Sequence, residues 1–521
     1  MQNRCAKPKL FQALHGCRPL AALGLFCLLL SGCSHQPHTP PSLKPPTLAQ
    51  MQQDLSKAGL PADALGFVMM PLHRPDQGVS YRAEMAMAPA STMKLITSAV
   101  ALAELGPDWS GTTAFFIHPS DQAELALGGN SLQHPLYLYG GADADLDYGV
   151  LTDMLRQLYE LGVRHLRGGV QLDRSLFRPE RSDQLTPAFD QNPRSYYNHQ
   201  PDAFDLAQNM QQLTVTSNQS SLQMLLQPTW DGIVLDGSAV KLIDKPCGKT
   251  DFNQWQIESQ LLPSHAKQQQ IVLQFRGEFA KGCQQQQWLS VIDRDQLLPL
   301  AIQTLWLRQG KPKDPTSLNK RFAIGPKPTD SELLVQHSSR PLRELVQRVN
   351  KQSDNSLTRL LFLQLGAIEP QQALALPNDA ATNQQRAIQK IQQYLAERHI
   401  DDHSLSLDNG SGLSRTERIS PLLLAQLLQS HWQSPESYEL IGSLPLAAVD
   451  GTLKNRFVNQ SAAGKARLKT GTLRDVTALA GYVWDAQQRP WIWVSFINHP
   501  DAITRGKPLL DQWVNQLAAS Q

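Results

Sequence analysis

The chain has 521 residues, 41% of them hydrophobic and 18% charged, and its 48 Lys and Arg against 46 Asp and Glu leave a net charge of +2. That length exceeds one ordinary core, so two or three domains are expected, with ample apolar residues to build them. Bases and acids alternate along the chain without a basic block, which argues against nucleic acid as a partner.

Arg4, Lys7, Lys9 and Arg18 precede the apolar run Leu20 to Leu30. This is the layout of an export signal, and the run is too short for a permanent transmembrane helix. It closes in Leu30-Ser31-Gly32-Cys33, which resembles the bacterial lipoprotein signal, whose cysteine is diacylated and becomes the new N-terminus. An ordinary cleaved signal that happens to hold a cysteine is the alternative. Ser34, rather than an aspartate, follows the cysteine and resembles signals that send lipoproteins to the outer membrane. Residues 1–33 thus read as a signal with Cys33 as lipidation site and a membrane anchor as partner, and the expected location is the periplasm, at the outer membrane. Ser34 to Thr47, with five prolines, reads as an extended tether.

Of six cysteines, only Cys247 and Cys283 lie beyond this segment. Two thiols in an exported chain favour one disulfide over two free thiols. No C-x-x-C or H-E-x-x-H spacing occurs, so no metal and no cofactor is expected.

The mature chain opens with an amphipathic helix, Leu48 to Ala58, stopped by Gly59 and Pro61. Gly66 to Pro71 and Gly78 to Tyr81 read as paired strands. Pro89-Ala90-Ser91-Thr92-Met93-Lys94 then runs into an apolar stretch ending at Gly106-Pro107, a buried helix that opens at Ser91. From residue 113 to 325, strand-like runs (Leu136 to Leu138, Gly169 to Leu172, Leu213 to Val215, Ile271 to Phe275) alternate with glutamine-rich stretches, and a helix spans Asp145 to Leu161. This reads as an inserted accessory region, mainly β and of two subdomains, between halves at 48–112 and 326–521. Ser339, followed by Pro341, reads as the cap of a helix reaching Asn350. A polar loop, Lys351 to Ser356, separates it from a helix over Leu357 to Leu365. Strands at Leu468 to Thr472, Ala478 to Trp484 and Trp491 to Ile497 and a helix at Pro508 to Ala518 complete an α+β domain whose antiparallel sheet comes from both ends of the chain.

Three short motifs carry chemistry. In Ser91-x-x-Lys94 the spacing puts both side chains on one helical face, so a lysine made neutral by burial can take the serine proton. The pattern alone is weak: about one or two copies are expected by chance. This chain has four, at Ser91, Ser238, Ser264 and Ser317, and only Ser91 opens a long apolar helix. Ser353-Asp354-Asn355 sits between two helices, where its short polar groups serve a cleft or merely a cap. Lys469-Thr470-Gly471-Thr472 lies on a strand whose glycine admits a substrate to the backbone while the lysine offers a carboxylate positive charge. The order of the three is that of penicillin-binding proteins and class A β-lactamases.

With these motifs, His337 to Val346, Asp408 to Arg415, Leu444 to Leu453 and Ala480 to Val483 also match, so the chain resembles the low-molecular-mass class C penicillin-binding proteins, the D-alanyl-D-alanine carboxypeptidase/endopeptidase family. The resemblance implies a penicillin-binding/β-lactamase-like domain interrupted by accessory domains, peptidoglycan stem peptides as substrate and β-lactams as covalent inhibitors. It implies Ser91 as nucleophile, Lys94 as base, Ser353 as proton relay, Asn355 holding the substrate amide and Lys469 as electrostatic support. Thr470, Gly471 and Thr472 would bind the terminal carboxylate, the N–H groups of Ser91 and Thr472 would form the oxyanion hole, Arg415 would line the stem-peptide pocket, and Asp190 is the nearest acid to read the diamino acid's amine. A β-lactamase is the close alternative, although no deacylating glutamate loop is evident and the Ser91 to Ser353 interval is far too long. A non-catalytic peptidoglycan-binding lipoprotein would have no use for the nucleophile and its base.

Overall fold

The computed structural model describes residues 43–184, 187–262, 270–309, 322–367 and 381–521. Cys33, the signal, most of the tether, Ser264-x-x-Lys267 and Ser317-x-x-Lys320 lie outside the described residues.

The ends of the chain meet in one five-stranded antiparallel sheet, in the order Ala466–Leu473, Val476–Trp484, Pro490–Asn498, Leu65–Pro71, Val79–Tyr81. Its central strands are apolar at nearly every position because both faces are covered, so alternation with polar residues is absent. Phe67, Met69, Leu479 and Trp493 point to one face, where they pack with Met51 and Leu55 of the helix Leu48–Lys57 and with Leu510, Trp513 and Val514 of Lys507–Ala519. Val68, Met70, Ala480, Tyr482 and Val494 point to the other. There they meet Leu95 and Ile96 of the helix Lys94–Leu105, Leu345 of Leu342–Lys351, Leu361 of Asn355–Leu365 and Leu424 of Pro421–Trp432. All three motifs are carried by elements of this second layer or by the sheet edge against it.

The accessory region has its own core and three main sheets. One five-stranded sheet runs in the order Phe322–Ile324, Val170–Asp173, Leu136–Gly141, Thr112–Ile117, Glu332–Ser338, and two three-stranded sheets lie between its halves in sequence. The strand Glu332–Ser338, expected on the catalytic side of a junction at residue 325, pairs with Thr112–Ile117 instead, so the return crossing comes after Ser338. Both crossings are tied together: Gly111 N–H donates to Ser339 Oγ (3.1 Å) and Ser339 N–H to the Gly111 carbonyl (2.9 Å). Ser339 therefore does not cap the next helix as expected; Pro341 holds the N-cap position, with no side-chain cap. The region also contains the helix Arg294–Gln309, unforeseen because Pro299 lies inside it. Cys247 and Cys283 are bonded, with their Cα atoms 5.6 Å apart. At the other end, Leu43 to Thr47 do not continue the tether: Pro46 is buried, and the Leu43 and Lys44 carbonyls accept from Gln521 and Gln516 of the C-terminal segment. Among the described residues no helix is long and apolar enough to cross a membrane.

Candidate active site

Ser91 lies on a 3-10 turn, Ala90–Met93, that runs straight into the buried helix Lys94–Leu105. Lys94 Nζ stands 3.0 Å from Ser91 Oγ. It donates to Asn355 Oδ1 (2.6 Å) and to the Ser411 carbonyl. With both carbonyl acceptors engaged, a neutral amine at this position would have its lone pair left for the serine hydroxyl. Lys94 is fully buried. Burial first, then the charges of Lys469 and Arg359, hold its pKa well below that of an ordinary lysine, while Glu417 and Asp354 oppose the shift.

The Ser353-Asp354-Asn355 segment divides its work. Asp354 caps the helix Asn355–Leu365, accepting from Leu357 N–H at 3.0 Å, so Asn355 is the first helical residue and not part of a longer loop. Asp354 also accepts from Tyr196 Oη, 2.7 Å from each carboxylate oxygen, and from Arg348 Nε at 2.8 Å. Tyr196 comes from the accessory region, which thereby braces the motif from outside the catalytic sheet. Ser353 adopts φ 59°, a left-handed conformation unusual for a side-chain-bearing residue. Lys469 Nζ donates to its hydroxyl at 2.9 Å.

Lys469 is buried on the edge strand Ala466–Leu473 and also donates to the Thr470 carbonyl at 2.9 Å. Burial brings its pKa down to about 7. Thr470 Oγ1 donates to Thr452 Oγ1 at 2.9 Å, and Thr472 is exposed at the strand end. Gly471 is required by packing: a Cβ there would stand 2.6 Å from the Pro89 carbonyl, just before the turn Ala90–Met93. Gly412 closes on the same turn from the other side, where a Cβ would fall 1.8 Å from the Ala90 carbonyl oxygen. The turn itself holds Ala90 at φ 46°, so strain and close backbone approach coincide at the serine.

Five expected residues thus converge: Ser91, Lys94 and Asn355 in one set of contacts, Lys469 and Ser353 in the next. Asp190 and Arg415 lie together elsewhere. The Asp190 carboxylate accepts from Tyr197 Oη (2.8 Å), Asn198 Nδ2 (2.8 Å) and Asn192 N–H (3.0 Å), and it sits low in pKa: these bonds and the Arg415 charge outweigh burial, the largest single effect, which acts upward. Arg415 is exposed, with its guanidinium 4.6 Å from the centre of the Phe189 ring. Ser238 and Lys241, a rival pair in sequence, are both exposed on the accessory strand Ile233–Ile243, not at the start of a buried helix. Among the described residues, the sole close trio of metal-ligand types, Asp401, Asp402 and His403, belongs to none of the motifs. Sequence reasoning missed Tyr196, Arg348, Arg359 and Glu417: Arg359 and Glu417 bond backbone groups, and Tyr196 meets Arg348 and Asp354 from the accessory region, across 152 and 158 residues.

Comparison with known proteins gives the family and the fold. The model of the family described as D-Ala-D-Ala carboxypeptidase 3 (S13) matches residues 47–517. The chain belongs to that S13 family. It is therefore a hydrolase of the serine-type D-Ala-D-Ala carboxypeptidase kind. Among S13-like relatives, it is 24% identical over 464 residues to the D-alanyl-D-alanine carboxypeptidase DacB of Haemophilus influenzae, covering 87% of this chain and 89% of that protein. It is 25% identical over 422 residues to a D-alanyl-D-alanine carboxypeptidase from an Actinomadura species, covering 76% and 71%. The crystal structure of penicillin binding protein 4 from Haemophilus influenzae superposes with a TM-score of 0.67 at 20% identity, over 90% of this chain and 98% of that one. The S13 fold with its inserted domains is accordingly the fold of this chain.

Proposed function

We propose that this S13 enzyme cleaves D-alanyl peptide bonds in peptidoglycan stem peptides through an acyl-enzyme on Ser91, and that β-lactams acylate the same oxygen. One observation carries the reading: Lys94 Nζ is 3.0 Å from Ser91 Oγ and also bonds Asn355 Oδ1 and the Ser411 carbonyl, so that a neutral amine there would have its lone pair left for the serine. In the forward step Lys94 takes the Ser91 proton as Oγ attacks the D-alanyl carbonyl. The oxyanion is received by the N–H groups of Ser91 and Thr472, one at the start of a helical turn and the other on the strand that abuts it. Ser353, linked to Lys469, passes a proton to the leaving amine, while Lys469, Thr470 and Thr472 attract its carboxylate. Water then repeats the sequence on the ester. The related Haemophilus protein forms a complex with a β-lactam, which supports acylation of the same machinery here.

A β-lactamase needs a carboxylate free to activate water for deacylation. The two carboxylates that act on Lys94 are both occupied, Asp354 by Tyr196, Arg348 and Leu357 N–H and Glu417 by backbone N–H groups, which favours the peptidase reading. Digestion of purified uncrosslinked pentapeptide and crosslinked muropeptides tests it. Release of free D-alanine marks carboxypeptidase action and loss of crosslinks marks endopeptidase action; if neither product forms, the reading fails.

We also propose a periplasmic location at the outer membrane, with attachment through Cys33. Its support is the signal-like run ending at Cys33 and the proline-rich segment that follows. The mature protein should partition with membranes, and Cys33→Ala should abolish lipidation and release exported chains into the soluble periplasmic fraction. Mass spectrometry of the mature N-terminus decides the matter: an unmodified terminus cut elsewhere removes the anchor and leaves the enzyme intact.

A further inference from the structure

In the segment Asp408 to Gly412, Asn409 Oδ1 accepts from Ser411 N–H (3.1 Å) and one carboxylate gathers the other four backbone amides. Glu417 is buried, and its Oε1 accepts from the N–H groups of Asp408 (3.2 Å), Asn409 (3.0 Å) and Gly410 (2.6 Å), while Oε2 accepts from Gly412 N–H (2.7 Å). Consecutive amides converging on one carboxylate form a concave backbone nest, a shape made accessible by Gly410 at φ +70° and Gly412 at φ +78°. The nest is pinned to the serine helix by Thr97 Oγ1, which donates to the Gly410 carbonyl at 2.8 Å. Its product is one oriented group, the Ser411 carbonyl, which takes a hydrogen from Lys94. Its flank, Gly412, runs so near the serine turn that a Cβ there would clash with the Ala90 carbonyl and the Ser91 nitrogen.

On the reading of Lys94 as the base, we propose that Glu417 is a positioning residue for it: the carboxylate shapes the turn that aims the Ser411 carbonyl at Lys94 and, when ionised, sets a negative charge opposite the site's cations. The charged groups facing Lys94 come from four elements: Lys469 from the edge strand, Arg359 from the helix Asn355–Leu365, Asp354 from its cap and Glu417 from the loop, with Asp408 acting on Arg359 and Glu417. Burial raises the pKa of Glu417, against the backbone N–H bonds that favour its ionised form. Its charge in turn opposes the downward shift at Lys94. Glu417 touches no reacting atom, so its effect appears in how Lys94 titrates and is aimed.

The test is the second-order rate constant for acylation of the full enzyme by a fluorescent penicillin, followed across roughly pH 5 to 10 and paired with thermal melts. In Glu417→Gln the Gly412 amide faces an NH2 group or loses its acceptor, and the charge is gone. The rate should fall about 10- to 100-fold, and the acid limb, which reports protonated Lys94, should move to lower pH by about one unit. Thr97→Val loosens the same turn without altering charge and should leave the limb in place. Glu417→Asp keeps the charge but withdraws it by a methylene, so it should keep the limb while acylating several-fold more slowly. A Glu417→Gln limb superimposable on wild type overturns the proposal. If that variant melts below the assay temperature, wild-type rates in Glu417→Asp overturn it instead. Lys94→Ala separates this from the underlying reading: normal acylation there removes Lys94 as base, whereas lost acylation with an unmoved Glu417→Gln limb removes only the role of Glu417.

Discussion

Ser91→Ala should abolish peptide cleavage and covalent penicillin labelling together, with kcat lower by on the order of 10⁶, the usual cost of deleting an acyl-forming nucleophile. On the proposed mechanism both losses have one cause, because the same Oγ would attack either carbonyl. The fold should persist: Ser91 is only half-buried and its side-chain contact is to Lys94, which keeps Asn355 and Ser411 as acceptors. The control is Ser238→Ala, which also deletes a serine three residues before a lysine, yet from a strand outside the catalytic domain. It should label like wild type. A gel of fluorescent penicillin adducts with parallel melting curves reads both variants, and persistent labelling in a folded Ser91→Ala would remove the nucleophile assignment.

Much of the catalytic layer is legible in sequence because its signals are local. Apolar periodicity marks the helix after Ser91, near-continuous apolar runs mark the two strands after Lys469, and the three motifs recur in the family's order. What the sequence hides is pairing over distance. Glu332–Ser338 is an edge strand with exposed leucine and glutamate, so nothing local says whether it joins the terminal sheet or the accessory one; its partner Thr112–Ile117, far earlier in the chain with Thr112 opposite Ser338, decides. Ser339 looks like a helix cap, yet its hydroxyl serves the Gly111 crossing. Any of Ser353, Asp354 and Asn355 suits an N-cap, and the choice of Asp354 frees the other two for the cleft. Glu417 escapes notice for a further reason: its partners are backbone amides, which every residue has and which leave no mark on the sequence.

Lys469→Ala should slow acylation by about 10²- to 10³-fold, the loss typical of one preorganised electrostatic group, while the chain stays folded. The lysine is buried, but its contacts are the Ser353 hydroxyl and its neighbour's carbonyl, both at the cleft, and the strand's register rests on backbone pairing with Val476–Trp484. The pH dependence gives a sharper result. The proposed mechanism needs Lys94 neutral and Lys469 charged, so kcat/KM should rise as Lys94 loses its proton and fall as Lys469 does. For the free enzyme that falling limb should lie near the Lys469 pKa of about 7. A bound substrate carboxylate stabilises the charged form, so the corresponding limb in kcat should lie at higher pH. Lys469→Arg removes the alkaline limb from the accessible range because guanidinium stays protonated, at some cost in rate from its different geometry. Profiles of hydrolysis for a D-alanyl peptide, measured for wild type and both variants, separate these effects. An alkaline limb unchanged in Lys469→Arg would show that another group titrates there, and wild-type kinetics in a folded Lys469→Ala would remove the lysine from the acylation step.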